Sequence, residues 1–206
     1  MIQRIAFVIF LLIFAVGILG ISILRTTSPR YAFSQQPPQE AQAPPVKEPV
    51  DYYLAYPGIL PDHFLWSFKA ARDRVWLFLT TDPGKRAELL LLFADKRVGA
   101  SRAFLEGGKP ELAVSAATKA EKYLEQSVAQ TIKARENNVE VGQFLERLAL
   151  ATLKHREVLE ELYKKAPEDA RPVIAQTIDY PKRLFDQVKM LLIEENRPVP
   201  QSPFEQ

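Results

Sequence analysis

The sequence predicts an all-α protein, an up-down antiparallel bundle of four to five helices preceded by one transmembrane helix and a proline-rich linker. Only 8 of the 206 residues are glycine, whereas 47% are hydrophobic. Ala, Leu, Lys, Glu and Arg, which all favour helices, dominate the second half of the chain. Apolar residues also recur every three to four positions along five segments after residue 60, which is the period of an amphipathic helix.

The first twenty-five residues are expected to be a membrane anchor. Residues 5–24 carry no charge, and a helix of that length spans about 30 Å, the thickness of a bilayer's hydrocarbon core. A cleaved signal peptide is the alternative, but its apolar region is normally about 7–15 residues long and ends at a site of small residues. Positive groups are balanced, with Arg4 and the α-amino group before the stretch and Arg25 and Arg30 after it. A short N-terminus ahead of the first apolar stretch favours the cytoplasm for itself and the outside for the rest.

Residues 26–55 are expected to be a disordered linker. Residues 26–50 hold six prolines and four glutamines, and this composition supplies neither a core nor the amide donors of regular structure. Such a spacer would hold a folded domain away from the membrane. The bundle domain is expected at residues 56–195, and residues 196–206 are expected to be a disordered tail.

Turn and capping residues predict where the helices of the bundle begin. Asp62 is expected to cap the first helix, and Asp82 the second, with Pro83 at its first position. Asn137 and Glu140 resemble a capping box ahead of the fourth helix. The five segments expected to be helical are 62–79, 83–106, 110–136, 140–165 and 167–195, the last with a proline at position 181.

The apolar faces of these helices predict the core. Phe64, Phe68 and Phe78 share one face of the first helix with Ala71 and Val75, and we expect this face to be buried. Small residues on the third helix let a neighbouring helix approach closely: Ala113, Ala116, Ala117 and Ala120.

Five other aromatic residues have no evident place on these faces: Tyr52, Tyr53, Tyr56, Trp66 and Trp76. Trp66 and Trp76 stand ten positions apart and cannot both lie at the centre of the first helix's apolar face. We interpret the five either as boundary residues that pack on the bundle, which is the favoured alternative, or as an aromatic surface for a protein partner.

Most classes of active site are excluded by composition and motif. The chain has no cysteine and two histidines, so thiolate chemistry and disulfides are ruled out. No zinc-protease, P-loop or dinucleotide-binding motif occurs, and no serine precedes a lysine by three positions. We therefore predict no catalytic residue, no cofactor and no enzyme activity. From Asp51 onward, 23 basic residues balance 23 acidic ones, which argues against nucleic-acid binding.

His155 is the one candidate metal ligand. It lies on the apolar stripe of the fourth helix, where a buried, hydrogen-bonded histidine is the favoured interpretation. Position 152 is threonine, so the Glu-x-x-His pair of di-iron bundles is missing. Asp95 is expected to pair with Lys96 or Arg102 and to hold one helix against another.

Three motifs resemble the signature of a bacterial family, the domain-of-unknown-function family 5667. They are "LPDHFLWSFK", "DPGKRAEL" and "ADKR", similar to that family's Leu-Pro-Asp-x-x-Leu-Tyr-x-x-Lys, Asp-Pro-x-x-x-Ala-Glu-Leu and Ala-Asp-x-Arg, with Trp66 in place of the tyrosine. The resemblance covers about residues 55–130. It implies an all-helical domain, often behind a signal or anchor segment, and carries no activity. The matched positions expected to be structural are Pro61, Asp62, Leu65, Lys69, Asp82, Pro83, Glu88, Asp95 and Arg97.

Together these features predict a membrane-anchored extracytoplasmic domain that serves as a protein-interaction, scaffold or sensor module of the cell envelope. Its expected partners are the membrane, through residues 5–24, and another protein. Two alternatives stay open: a small-ligand or metal-binding bundle of periplasmic type, and a membrane-tethered regulator whose domain lies in the cytoplasm.

Overall fold

The computed structural model describes residues 49–204, which form five α-helices joined by short loops, with no strand in that range. The predicted all-α class is therefore confirmed. The anchor expected at residues 1–25 and the linker up to residue 48 lie outside the described residues. None of the five helices is both long and apolar enough to cross a bilayer. The helices are α1 (Trp66–Leu79), α2 (Pro83–Glu106), α3 (Pro110–Glu136), α4 (Gly142–Lys165) and α5 (Arg171–Glu194).

One of the three predicted helix caps is confirmed. The Asp82 carboxylate accepts a hydrogen bond of 2.8 Å from the backbone N–H of Lys85, and Pro83 is the first residue of α2. The cap at Asp62 is wrong, because the residues after it form turns and α1 begins only at Trp66. Asp62 instead pairs with Lys109, just before α3, at 2.5 Å.

The capping box ahead of α4 is also wrong. Asn138 adopts a left-handed turn with φ of 57°, and this turn delays the start of α4 to Gly142. The Glu140 carboxylate accepts from the Gly142 N–H at 3.1 Å instead of reaching back to Asn137.

The core lies between α2, α3, α4 and α5. The four small residues predicted on α3 are at most 3% exposed, and α3 packs along α2 in the most extensive helix pair. The Ser127 hydroxyl donates to the backbone carbonyl of Ala87 at 2.8 Å, a contact that requires the two helices to lie close together. Helices α4 and α5 complete one cluster of buried leucine, valine, alanine and phenylalanine side chains.

The burial predicted for the first helix is wrong. Phe64, Phe68 and Phe78 are 78%, 75% and 80% exposed, and no residue of α1 is buried. Among the helices, α1 contacts only α2. Its opposite side, with Trp66 and Leu77, is the half-buried one. Four helices of 24 to 27 residues already enclose the core, so the 14-residue α1 lies outside it.

Both ends of the described chain pack on the bundle. Val50, within the segment expected to be linker, is 8% exposed, and its N–H donates to the Glu157 carboxylate at 2.7 Å. Within the segment expected to be tail, the Arg197 guanidinium donates to Glu140 at 2.9 Å and to Glu146 at 3.1 Å.

The Arg197 side chain makes these contacts by passing over Gly142. We therefore predict that position 142 requires glycine. A Cβ at Gly142 would lie 1.8 Å from the Arg197 Nε. We expect Gly142→Ala to displace Arg197 and to lower the free energy of unfolding by about 1 kcal/mol, although alanine usually stabilises a helix relative to glycine. Urea unfolding followed by circular dichroism measures this change.

Gly84→Ala is the matched control, because Gly84 also lies in the first turn of a helix. A Cβ there would meet its nearest atom at an ordinary 3.4 Å, so this variant should be neutral or slightly stabilising. Arg197→Ala added to Gly142→Ala should abolish the specific penalty. Equal effects of the two glycine substitutions would contradict the assignment.

Candidate functional site

Two features of the described residues can carry function. The first is a group of four polar side chains in the interior, Tyr52, Asp95, Glu121 and His155, here called the buried cluster. The second is a row of exposed apolar side chains on and beside α1, here called the α1 face: Phe64, Phe68, Val75, Trp76, Phe78 and Leu79.

The buried cluster joins three helices and the chain before α1. His155 on α4 is fully buried, as its place on the apolar stripe predicted. Its Nδ1 lies 2.8 Å from Oε1 of Glu121 on α3, and its Nε2 lies 3.2 Å from Oδ1 of Asp95 on α2. The hydroxyl of Tyr52 donates to the other oxygen of Asp95 at 2.8 Å.

The protonated form of His155 satisfies this geometry, because both ring nitrogens face carboxylate oxygens and must both donate. Burial by itself would lower the pKa of His155, but the charges and hydrogen bonds of Glu121 and Asp95 outweigh it and raise the pKa to about 9. Burial, followed by the negative charge of Asp95, raises the pKa of Tyr52. Both groups therefore keep their protons at neutral pH.

Glu121 is only partly satisfied within the cluster. Its Oε2 is buried and is the one buried side-chain oxygen or nitrogen of residues 49–204 without a hydrogen-bond partner. An imidazolium between two carboxylates leaves a net negative charge in the interior, which makes the cluster sensitive to the loss of any member.

The alternative of a metal ligand at His155 receives no geometric support from these side chains. No group of three or more His, Cys, Asp or Glu residues in the described range is arranged to hold a metal ion. Both nitrogens of His155 are already directed at carboxylates, so neither offers a lone pair to a cation. The chemistry open to the cluster is proton binding.

The two acidic partners of His155 were not identified from the sequence. The predicted pairing of Asp95 with Lys96 or Arg102 is wrong, since Asp95 faces inward and Arg102 pairs with Glu161 at 2.6 Å. Glu121 was missed altogether. The sequence did hold a signal for it, because Glu121 is a charged residue within the apolar series of α3, between Ala117 and Leu124. A charged side chain that is buried at such a position requires a buried partner.

The α1 face points away from the bundle. Its six side chains are between 51% and 80% exposed. Arg72 and Arg74 lie to either side of the apolar row and are also exposed. Asp73, the only acidic residue of α1, lies on the half-buried side. The exposed surface of α1 is therefore apolar along its middle and basic along its edges.

The inner side of α1 is held by cations of α2. The guanidinium of Arg97 lies over the Trp66 ring, 4.4 Å from its centroid. Burial lowers the pKa of this arginine. The guanidinium of Arg86 donates to the carbonyls of Leu77 and Thr80 at the end of α1. These contacts set which face of α1 meets the bundle.

The five aromatic residues singled out in the sequence do not form one surface. Tyr52 joins the buried cluster and Trp66 lies against Arg97, whereas Trp76 belongs to the exposed α1 face. Tyr53 and Tyr56 are 92% and 84% exposed, ahead of α1.

The remaining signature residues have local structural roles. The Lys69 ammonium donates to the carbonyls of Pro57 at 2.7 Å and Ile59 at 3.1 Å, on either side of Gly58 with φ of 66°. Leu65 is the residue before α1 and Pro61 lies in the preceding turn. Glu88 is exposed and lies 3.9 Å from Arg147, a distance at which a surface pair contributes little.

The Tyr52 contact predicts that two adjacent tyrosines differ in their effect on stability. Tyr52→Phe removes the donor to Asp95 and should lower the free energy of unfolding by about 1–2 kcal/mol, as expected for a hydrogen bond to a charged group. Tyr53→Phe is the control, since Tyr53 is exposed, and it should leave stability unchanged. Thermal melting of both variants checks this, and equal melting temperatures would contradict the role of Tyr52.

The protonation of His155 predicts a loss of stability in alkaline solution. The pKa of His155 is about 6.5 in the unfolded chain and rises to about 9 in the folded protein. Protonation of His155 therefore stabilises the fold fully below pH 6.5, and this contribution disappears as the pH rises through about 9. We expect the free energy of unfolding to fall by about 1–3 kcal/mol over this window.

His155→Gln should remove that pH dependence, and His63→Asn should retain it. His63 is the other histidine of the chain and is exposed, so it serves as the matched control. Urea unfolding at pH 6, 7.5, 9 and 10 measures the slope. The assignment fails if the parent chain and His155→Gln show the same slope.

A family comparison accounts for the signature motifs. The family model described as "Domain of unknown function (DUF5667)" matches residues 58–169, more than half of the chain, from the turn before α1 to the loop before α5. No curated protein and no solved structure matches the chain. The match includes the α1 face and three of the four residues of the buried cluster. The chain is thus a member of the family of domains of unknown function DUF5667.

Proposed function

We propose that the chain is a membrane-anchored, extracytoplasmic helical domain of the cell envelope that acts by contact rather than by catalysis. The α1 face carries this proposal, because it directs six large apolar side chains away from a bundle whose own core is closed without them. Folded domains rarely expose contiguous apolar surface of this kind unless it meets another surface. The uncharged stretch at residues 5–24 supports the anchor.

The way in which α1 is held also supports a contact role. Its inner side is fixed to α2 through Trp66 and Arg97, so the outer side is presented in one orientation. The alternative of a metal-binding bundle has less support, because both ring nitrogens of His155 already face carboxylates.

Single-cysteine labelling in intact cells tests this proposal. The chain has no cysteine, so Phe68→Cys places one thiol on the α1 face, and Gln187→Cys places one on the exposed side of α5. We expect a membrane-impermeant maleimide to label Gln187→Cys in intact cells and to label Phe68→Cys much less. After solubilisation in detergent, both thiols should react.

Each part of the proposal can fail separately in this experiment. Labelling of Gln187→Cys only after cell lysis would reverse the orientation and favour a regulator with its domain in the cytoplasm. Equal labelling of the two thiols in intact cells would show that nothing covers the α1 face.

A further inference from the structure

The α1 face has the shape of a ridge rather than a groove. Phe68, Val75 and Phe78 follow one another on α1 at spacings of seven and three residues, which places them in one row on a helix about 20 Å long, and Phe64 lies in the turn just before it. All four are more than half exposed, and α2 holds the helix from the opposite side. A surface that binds the α1 face must therefore accommodate a row of protruding apolar side chains.

The charges beside this ridge select an anionic occupant. Arg72 and Arg74 stand on its two edges, and Asp73 is turned to the inner side, where it lies 2.7 Å from the Arg72 guanidinium. A second copy of α1 packed along the same row would bring these arginines beside their own counterparts, a juxtaposition of like charges that opposes association. A surface with negative charge around an apolar interior complements the ridge.

An anionic lipid surface fits this description better than a protein. A helix with Trp, Phe and Leu on one side and basic residues at its margins is the arrangement that lies in the plane of a membrane interface. Arginine side chains can extend sideways to phosphate groups while their stems cover the apolar row. Trp76, half exposed at the edge of the row, has the amphipathic ring enriched at that depth.

The length of chain before α1 keeps the helix close to such a surface. This step rests on the proposed function, in which residues 5–24 cross the membrane. Residues 25–48 then separate the anchor from the described domain. A chain of 24 residues reaches roughly 30 Å if it is a flexible coil and about 75 Å if it is fully extended in the polyproline form. A tether of this reach converts docking on the bilayer into an intramolecular step with a high effective concentration.

We propose that the α1 face docks on the anionic surface of the bilayer. The phenylalanine row inserts between the lipid headgroups, and Arg72 and Arg74 contact the phosphates. The bundle is then attached to the membrane at two points, the anchor and α1, instead of standing off on its linker. The buried cluster and the opposite helices remain in the aqueous phase.

The chain's own tryptophans report on this contact. It contains two, Trp66, which is half-buried against Arg97 of α2, and Trp76, which is 51% exposed. Full-length chain carrying Trp66→Phe, reconstituted into phosphatidylcholine–phosphatidylglycerol vesicles with brominated acyl chains, should show blue-shifted Trp76 emission that the bromine quenches. The reciprocal Trp76→Phe chain leaves only Trp66, which faces α2 and should not be quenched.

Charge-removing variants test the role of the two arginines. Arg72→Gln with Arg74→Gln should weaken docking by on the order of tenfold, because each basic residue near an anionic leaflet contributes to binding. Lys164→Gln with Lys165→Gln is the control, since it removes the same charge from exposed positions at the end of α4. It should leave the quenching of Trp76 unchanged. Circular dichroism checks that each variant retains its helix content.

Flotation of the same vesicles distinguishes failure of the proposed membrane anchor from failure of the proposed lipid docking. If the chain floats with the vesicles while Trp76 emission stays unquenched, the anchor stands and lipid docking is overturned, which would leave a protein as the occupant. If the chain does not float, the anchor fails, and the lipid inference that rests on it fails with it. Quenching that is equal in purely zwitterionic vesicles would overturn the role of the anionic surface.

Discussion

The contact of His155 with Glu121 and Asp95 joins α4 to α3 and α2 inside the core. Side chains of leucine and alanine can slide past one another, whereas a ring with two donors between two carboxylates permits one relative placement of three helices. Tyr52 extends this constraint to the chain before α1 through Asp95. The cost is a buried charge and a carboxylate oxygen, Oε2 of Glu121, without a partner. The relative placement of α2, α3 and α4 therefore depends on one protonated side chain.

Because the four helices close the core by themselves, α1 is left free to present an apolar surface. Its orientation comes from a small number of polar contacts on the inner side, chiefly Arg97 with Trp66 and Arg86 with the last carbonyls of α1. The phenylalanines are consequently exposed, although they form the more hydrophobic side of the helix. The family signature reflects this arrangement, since Lys69, Asp82, Asp95 and Arg97 each take part in placing α1, α2 or the cluster.

Local sequence signals were sufficient where the determining interactions are themselves local. The Pro83 and Asp82 start of α2 and the small-residue face of α3 needed only neighbouring positions and the helical period. The caps at Asp62 and Asn137 failed because a turn with its own hydrogen bonds competed for the same residues. His155 was predicted to be buried from its stripe, but its partners lie 34 and 60 positions away along the chain.

The sequence by itself determined the helical class, the bounds of α2 and α3 and the amphipathic character of α1. These properties follow from propensity and from periodicity within one segment. Only the tertiary structure decided which side of α1 meets the bundle and which carboxylates face His155. An amphipathic pattern states that a helix has an apolar face, and the space left by the other helices decides whether that face turns inward or outward. In this protein the core is full without α1, so the face is left for another surface.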